Sequence, residues 1–133
     1  MAGSMLADFP ADLWTMTSKD LVIVPRSSGM QGGSDLIAQF KVLPVGKGES
    51  LSEYVAECVR MVEESGLKHQ LTPMSTIVEG DLDEVMEVIL HCHKKMREMS
   101  NRVVTSIEID DRGGSEDAMT FKVRSVEGKL RSK

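Results

Sequence analysis

The sequence predicts an α+β domain in which strands and helices follow the order β-α-β-β-α-β, with one further helix at the end. Two observations indicate this order. Four segments alternate apolar and polar residues, as half-buried strands do. Two segments between them repeat apolar residues at helical spacing. Because each helix has a single apolar stripe, both should pack on one face of the sheet, which is the ferredoxin-like arrangement.

The first strand and helix have clear signals. In "LIAQFKVLPV", which starts at Leu36, one face of the strand is apolar and the other is mixed. Ser50 and Glu53 have the spacing of a capping box, which predicts a helix start at Ser50. Gly66 is placed to end this helix in a left-handed conformation. The apolar face of the strand carries Ala38, Phe40 and Val42, and the mixed face carries Gln39, Lys41 and Leu43.

The second half repeats the pattern. "LKHQL" and "STIVEG" predict two strands joined by a turn at Thr72-Pro73-Met74. Asp81 is a good N-cap for the second helix. "RVVTSIEID" predicts a fourth strand, which Gly113-Gly114 should end, and Ser115 should cap the last helix.

Residues 1–34 differ from the domain at 35–133. They show no sustained period and include the Gly- and Ser-rich stretch "RSSGMQGGSD", so we interpret them as an N-terminal extension and linker. Residues 21–24 predict a short extra strand stopped by Pro25. Phe9 and Trp14 either anchor this arm on the domain or on a neighbouring subunit, or belong to a partly disordered extension; the sequence leaves both open.

Composition narrows the class of protein. The formal net charge is −5 and aromatic residues make up 4% of the chain, which disfavours nucleic-acid binding. No apolar run is long enough to span a membrane, and no secretory signal precedes the domain, so we expect a cytoplasmic protein without a membrane partner. Cys58 and Cys92 lie on apolar helix faces, which predicts buried free thiols.

Neither a metal site nor a catalytic constellation is expected. His91 and His93 flank Cys92 on a predicted helix, where residues two apart point about 200° away from each other and cannot share one ion. Gly46 and Gly48 precede a helix without the spacing of a phosphate loop, so a simple turn is favoured over an incidental anion site. No Ser-His-Asp or Cys-His arrangement is visible, and no catalytic cofactor is expected.

Polar residues concentrate where the predicted strands turn and the first helix begins. A small-molecule pocket needs apolar walls and a few hydrogen-bonding groups, and a charge if the ligand is ionic. Met74, Tyr54 and Leu43 could form walls, while Glu79 could face a cation. The alternative is a plain turn and strand, since Thr suits β-structure. The candidate set is Ser52, Tyr54, Thr72, Met74, Thr76 and Glu79.

Four segments together resemble a known family. They are "SEYVAE" at 52–57, "SGLKHQLTPM", "EGDLDEV" and "RVVTSIEIDDR". The stretch from about Leu36 to Leu130 is similar to the small thiamine-binding-protein family, in the YkoF-like superfamily and long of unknown function. The resemblance implies a ferredoxin-like subunit that associates through its sheet into dimers and often tetramers. It also implies binding of thiamine or a related pyrimidine, without turnover.

The resemblance adds Ser106 to the candidate ligand set as an outer member. If the ligand is thiamine, a carboxylate such as Glu79 could offset its thiazolium charge. Ser75 departs from the family motif, which usually has Gly after Thr-Pro-Met, and its side chain could narrow the pocket. The sequence does not choose among thiamine, its phosphates and a pyrimidine fragment, and it does not separate dimer from tetramer.

Three other functions are alternatives to ligand binding. The main alternative is a structural or regulatory homo-oligomeric interaction module without a small-molecule role. An enzyme acting on a pyrimidine would need Glu79 or His69 as a general base. RNA binding is weaker still, because the first and last predicted strands lack the aromatic pairs used for stacking.

Overall fold

Four strands and three helices make up the domain. The computed structural model describes residues 23–26, 35–48, 50–115 and 117–132. The strands form one antiparallel sheet in the order β2-β3-β1-β4, which confirms the predicted α+β class and element order. The elements are β1 (Asp35–Pro44), α1 (Ser52–Ser65), β2 (Lys68–Leu71), β3 (Thr76–Gly80), α2 (Leu82–Met99), β4 (Val103–Ser115) and α3 (Ala118–Arg131).

The core lies between the sheet and helices α1 and α2. Ala38, Phe40 and Val42 of β1 are buried there, as the alternation predicts, and the apolar stripes of both helices pack against them. We call this side the helix face and the other side the open face. The cross-strand register assigns the following residues to the open face: Ile37, Gln39, Lys41, Leu43, Lys68, Gln70, Ile77, Glu79, Val104, Ser106, Glu108 and Asp110.

Two of the predicted helix termini are confirmed. Gly66 ends α1 with φ 77°, and its N–H donates to the carbonyl of Glu63. Asp81 caps α2, accepting hydrogen bonds from the backbone N–H groups of Asp83 at 2.7 Å and Glu84 at 3.4 Å. The Glu84 side chain and these backbone donors lower the pKa of Asp81, and the same contact with Asp81 raises the pKa of Glu84.

Two other predicted caps are wrong. Helix α1 begins at Ser52 with Leu51 in the N-cap position, and no side chain caps it; the Ser50 hydroxyl lies 3.4 Å from that of Ser52 instead. Helix α3 follows Asp117, so Ser115 is not its cap. The reason is that β4 continues through Gly113-Gly114 as a bulge: between the pairs Ile37–Asp110 and Asp35–Ser115, β4 advances farther than β1.

Helix α3 lies on the open face. Its first turn is held by three polar contacts with the sheet. The Lys68 ammonium donates to Asp117 at 3.1 Å and to the Thr120 hydroxyl, and the backbone N–H of Met119 donates to Glu79 at 3.2 Å. A fourth link is the ion pair between Lys122 and Asp110. Part of the open face is therefore covered by the chain itself.

Residues 23–26 run beside β2. Val24 and His69 exchange two backbone hydrogen bonds, of 2.7 and 3.0 Å, and Arg26 forms an ion pair with Asp35. This bridge at Val24 is the described part of the predicted strand at 21–24. Residues 21 and 22 lie outside the described residues, as do Phe9 and Trp14, to which the two interpretations of the arm refer.

The cysteines are buried free thiols, as predicted. The Cys92 thiol donates to the carbonyl of Cys58 at 3.6 Å, and contact with Cys58 together with burial raises the pKa of Cys92. None of the helices in the described part of the chain is long and apolar enough to cross a membrane.

Candidate functional site

The turn between β2 and β3 is built around the hydroxyl of Thr72. This oxygen accepts hydrogen bonds from the backbone N–H groups of Met74 at 3.2 Å and Ser75 at 3.0 Å, and it donates to the carbonyl of Ser75 at 2.9 Å. The Thr72 N–H donates to the same carbonyl. Because these bonds fix the turn, Met74 is presented to solvent with 73% of its surface exposed.

A cleft of about 380 Å³ opens beside this turn on the open face. We call it the open-face cleft. The Ser75 hydroxyl donates to the side-chain oxygen of Gln39 at 2.9 Å, and the amide nitrogen of Gln39 donates to Glu108 at 2.7 Å. Ser75, Gln39 and Glu108 therefore form a connected row of polar groups in the cleft, and Met74 adds an apolar side chain beside them. Its side chains are Gln39, Lys41, Met74, Ser75, Ser106 and Glu108.

Two further clefts share the same turn. One, of about 250 Å³, lies beneath it on the helix face and is mainly apolar, with Phe40, Val55 and Leu71 among its walls. The other, of about 690 Å³, lies between the turn and α1, where Ser52 and Pro73 line it. The turn at 72–75 thus borders three clefts, and the open-face cleft carries the most convergent polar groups.

The structure distributes the predicted site residues over these clefts. Met74 and Ser106 line the open-face cleft, and Thr72, Met74 and Thr76 line the apolar cleft beneath the turn. Ser52 and Thr72 line the cleft against α1. Tyr54 is half-buried and packs against the core. Five of the seven residues therefore surround one turn, although they do not face one common cavity.

Glu79 does not lie with the others. It is 1% exposed, on the open face under the first turn of α3, where it forms an ion pair with Lys68 at 3.6 Å and accepts the Met119 N–H. Thr76 and Glu79 are three residues apart on one strand, so their side chains point to opposite faces. The alternation in the sequence already carried this information.

The carboxylate that does line the open-face cleft is Glu108. Together with Gln39, Lys41 and Ser75 it was not among the predicted ligand residues. The sequence signal that could have identified Gln39, Lys41 and Glu108 was the mixed polar and apolar composition of one face of β1 and β4. Ser75, noted as a departure from the family motif, uses its hydroxyl to hold Gln39 and thereby connects the turn to the sheet.

The histidines are engaged separately. His69 is buried, with its Nδ1 2.8 Å from the carbonyl oxygen of Leu67. The Nδ1 of His93 lies 2.6 Å from the hydroxyl of Thr105, and His91 is exposed. Among the residues that the structure describes, no group of three or more His, Cys, Asp or Glu is arranged to hold a metal ion.

Comparison with known proteins identifies the family. The family model described as "Thiamine-binding protein" matches residues 38–127. The chain belongs to this family. The thiamine-binding-family match begins in β1 and ends in α3, so it includes every residue of the open-face cleft. The predicted resemblance is therefore confirmed at the level of the family.

Two relatives support this membership. A UPF0045 protein of Mycobacterium bovis is 41% identical over 93 residues, which are 69% of this chain and 91% of the relative. A UPF0045 protein of Methanocaldococcus jannaschii is 32% identical over 91 residues, 68% of this chain and 91% of the relative.

Solved structures agree with the fold. A crystal structure of a hypothetical protein from Methanocaldococcus jannaschii superposes with a TM-score of 0.67 at 30% identity, covering 71% of this chain and 98% of that one. A Thermotoga maritima protein, named as a candidate thiamine biosynthesis/salvage protein, gives a TM-score of 0.58 at 22% identity, covering 67% and 98%. The second likeness concerns the fold alone.

Proposed function

We propose that the protein binds thiamine or a related pyrimidine or thiazolium compound in the open-face cleft, without turnover, as a carrier or sensor. Membership of the thiamine-binding family is the observation that carries this proposal. The Thermotoga protein of the same fold, whose name refers to thiamine biosynthesis or salvage, is consistent with it. The side chains of the open-face cleft supply the groups that would contact such a ligand.

The cleft suits a flat, cationic, nitrogen-rich ligand. The Glu108 carboxylate can offset a thiazolium charge, and hydrogen bonds to charged groups are the stronger ones. Gln39, Ser75 and Ser106 offer donors and acceptors to an aminopyrimidine. The exposed thioether of Met74 can pack on a ring face. In this assignment Glu108 takes the role predicted for Glu79.

Lys41 bears on which thiamine compound fits best. It lines the open-face cleft as the cross-strand partner of Ser106. An ammonium group there favours a ligand that carries both a cationic ring and a phosphate, because each charge then meets its opposite. We therefore expect thiamine phosphate to bind more tightly than thiamine, and Lys41→Met to remove most of the difference.

Ligand-dependent unfolding tests the proposal. Thiamine and thiamine phosphate should each raise the melting temperature, since a ligand at 100 times its Kd stabilises the folded state by about 2.7 kcal/mol. Glu108→Gln should weaken binding of thiamine about tenfold, because a charge-assisted contact is worth about 1.5 kcal/mol or more. Glu98→Gln is the matched control: Glu98 is an exposed carboxylate on α2, away from the cleft.

The absence of any melting shift with millimolar thiamine and thiamine phosphate would count against the proposal. An equal loss of affinity in Glu108→Gln and Glu98→Gln would move the binding site away from this cleft. Binding without turnover is checked separately, by mass spectrometry of the ligand after prolonged incubation. The two residues proposed as bases in the enzyme alternative, His69 and Glu79, are both buried and already engaged by other groups.

Self-association is the second part of the proposal. Leu43 and Val104, paired neighbours on the open face, are 37% and 43% exposed, and a second copy would cover them. We propose that the protein forms dimers or tetramers through the sheet. If sedimentation shows such assemblies while no thiamine compound shifts the melting temperature, the structural or regulatory homo-oligomeric module becomes the better description.

A further inference from the structure

A groove of about 560 Å³ runs between residues 23–26 and helix α3. Ile23 and Pro25 form one wall, and Val123 and Arg124 are on the other. We propose that this groove is the docking site of the protein's own N-terminal arm, residues 1–22. This interaction surface lies apart from the open-face cleft and is independent of the thiamine proposal.

The groove is cationic on balance. Lys68, Arg124 and Arg131 line it together with one carboxylate, Glu127. Lys68 is already held by Glu79 and Asp117, and Arg131 forms an ion pair with Glu127 at 3.4 Å. Arg124, an exposed residue in the middle of α3, leaves a positive charge on the groove wall. An acidic segment is therefore the complementary occupant.

The same helix also exposes an apolar ridge. Val123, Val126 and Leu130 are 40%, 58% and 71% exposed. Their spacing of three and four residues places them along one side of α3, and Val123 lines the groove itself. A polypeptide that covers this ridge needs apolar side chains as well as negative charges.

The arm has both properties. Residues 1–22 contain three Asp and one Lys, a net charge of −2 from side chains, and their apolar residues include Leu6, Phe9, Leu13 and Trp14. Asp8 and Asp12 are interspersed among these apolar residues. An acidic segment with aromatic anchors matches a cationic groove beside an apolar ridge.

The connection point favours docking within one chain. The arm joins the described residues at Ile23, which is itself part of the groove wall. Trp14 lies nine positions before Ile23, a distance of up to about 30 Å in an extended chain. The 14 residues of α3 rise only about 21 Å. A tether this short keeps the arm at an effective concentration of about millimolar.

The arm and one wall of the groove lie outside the part of the chain that matches the family. The family match starts at residue 38. The aligned 91 residues of the Methanocaldococcus relative are 91% of its length, so that chain of about 100 residues has no room for a counterpart of this arm. The groove wall at 23–25 also precedes the family match.

The single tryptophan of the chain, Trp14, reports on docking in the full-length protein. In the wild type we expect Trp14 to be protected from acrylamide quenching. Reversing both groove arginines, R124E/R131E, should raise the quenching constant about twofold, because each exposed ion pair can shift an equilibrium by up to about fivefold. The control is K94E/K129E, which changes the net charge equally at two exposed lysines outside the groove.

A charge swap sharpens the test. D8K/D12K alone should also raise quenching, and its combination with R124E/R131E should restore protection. In the wild type, salt at about 1 M should raise quenching, since screening shortens the Debye length to about 3 Å; this measurement needs no variant to fold. Quenching that is unchanged by salt and by both reversals, in proteins with wild-type circular dichroism, overturns the proposal. Protection that increases with protein concentration also overturns it, by placing the arm on a second copy.

Discussion

At the scale of single residues, one short polar side chain can determine where a helix begins. Asp81 binds two backbone N–H groups that the helix leaves without internal partners, and it does so from an extended conformation. The lowered pKa of Asp81 follows from its contact with Glu84 and from these backbone donors. The cap is therefore strongest when Asp81 is ionised.

This dependence predicts a pH effect with a definite sign. Because the pKa of Asp81 is lowered on folding, its contribution to stability is complete above the unfolded pKa, about 3.9, and is lost as pH falls through the lower folded value. Asp81→Ala should cost about 1 kcal/mol at pH 7, whereas Asp81→Asn should cost little. The raised pKa of Glu84 changes the stability with pH in the opposite direction, so Glu84 is replaced in both proteins that are compared. Urea unfolding of E84Q and E84Q/D81N between pH 7 and 2 then measures the effect of Asp81.

In that background the D81N protein should lose less stability than its parent below about pH 4. Parallel losses in the two proteins would show that the capping charge does not contribute. Caps of this kind were predictable where the required geometry is local, as at Asp81 and Gly66. They were not predictable at Ser50 and Ser115, because the actual helix starts depend on how the preceding loop and the β4 bulge leave the sheet.

At the scale of elements, α3 is attached mainly through its first turn. Met119 is buried, whereas Phe121 and Leu130 farther along are 70% and 71% exposed. The attachment depends on Glu79, which accepts the Met119 N–H, and on Lys68, which reaches Glu79, Asp117 and Thr120. A buried ion pair with satisfied partners holds this helix in place, although the pair itself is expensive to desolvate.

Breaking that pair should destabilise the protein more than removing it. Lys68→Met should cost about 3–5 kcal/mol, because it leaves the buried Glu79 carboxylate without its counter-ion. Glu79→Leu should cost less, because Lys68 keeps its contact with the exposed Asp117. The double variant K68M/E79L should cost clearly less than the sum. Equilibrium urea unfolding measures these differences, with Glu57→Gln as control, since its partly exposed pair with Arg60 is worth below about 1 kcal/mol.

Additive losses in the double variant would show that Lys68 and Glu79 act independently. Hydrogen exchange at the Met119 amide adds a local measurement. In Lys68→Met, which keeps the acceptor Glu79, protection of this amide should fall if α3 detaches. The sequence predicted a last helix. It did not predict attachment to Glu79, because that contact joins residues 40 positions apart and depends on the register of three strands.

At the scale of the whole molecule, the clefts arise where three elements meet at one turn. The sequence identified Thr72, Met74 and Thr76 because they share that turn, and the structure does bring them together. Gln39 and Glu108 were missed as ligand residues, because only the pairing of β1 with β4 places them side by side beneath Met74 and Ser75. Local motifs predict the turn, whereas strand register determines the cleft.

The exposed sheet gives a prediction about assembly. Ile107 and Ile109 lie on the helix face of β4, yet they are 39% and 42% exposed. If copies associate through β4 and the open face, V104K/I109K should shift the sedimentation coefficient toward that of a monomer, because two charges would be buried in the interface. L82K, at an exposed leucine on α2, is the control and should sediment as the wild type.

Sedimentation of V104K/I109K identical to that of the wild type, with both proteins folded, would move the contact surface elsewhere. A wild-type protein that sediments as a monomer at all concentrations would remove self-association from the proposed function.

The two edge strands of the sheet, β2 and β4, differ in whether another segment pairs with their outer side. Along β2, Val24 occupies backbone groups of His69, whereas β4, in the described part of the chain, pairs with β1 alone over its long span. A protein that can add strands at both margins can polymerise without limit, but one with a single receptive margin stops after one addition. If subunits pair through their edge strands, residues 23–26 would block the β2 edge, and such pairing would stop at two subunits.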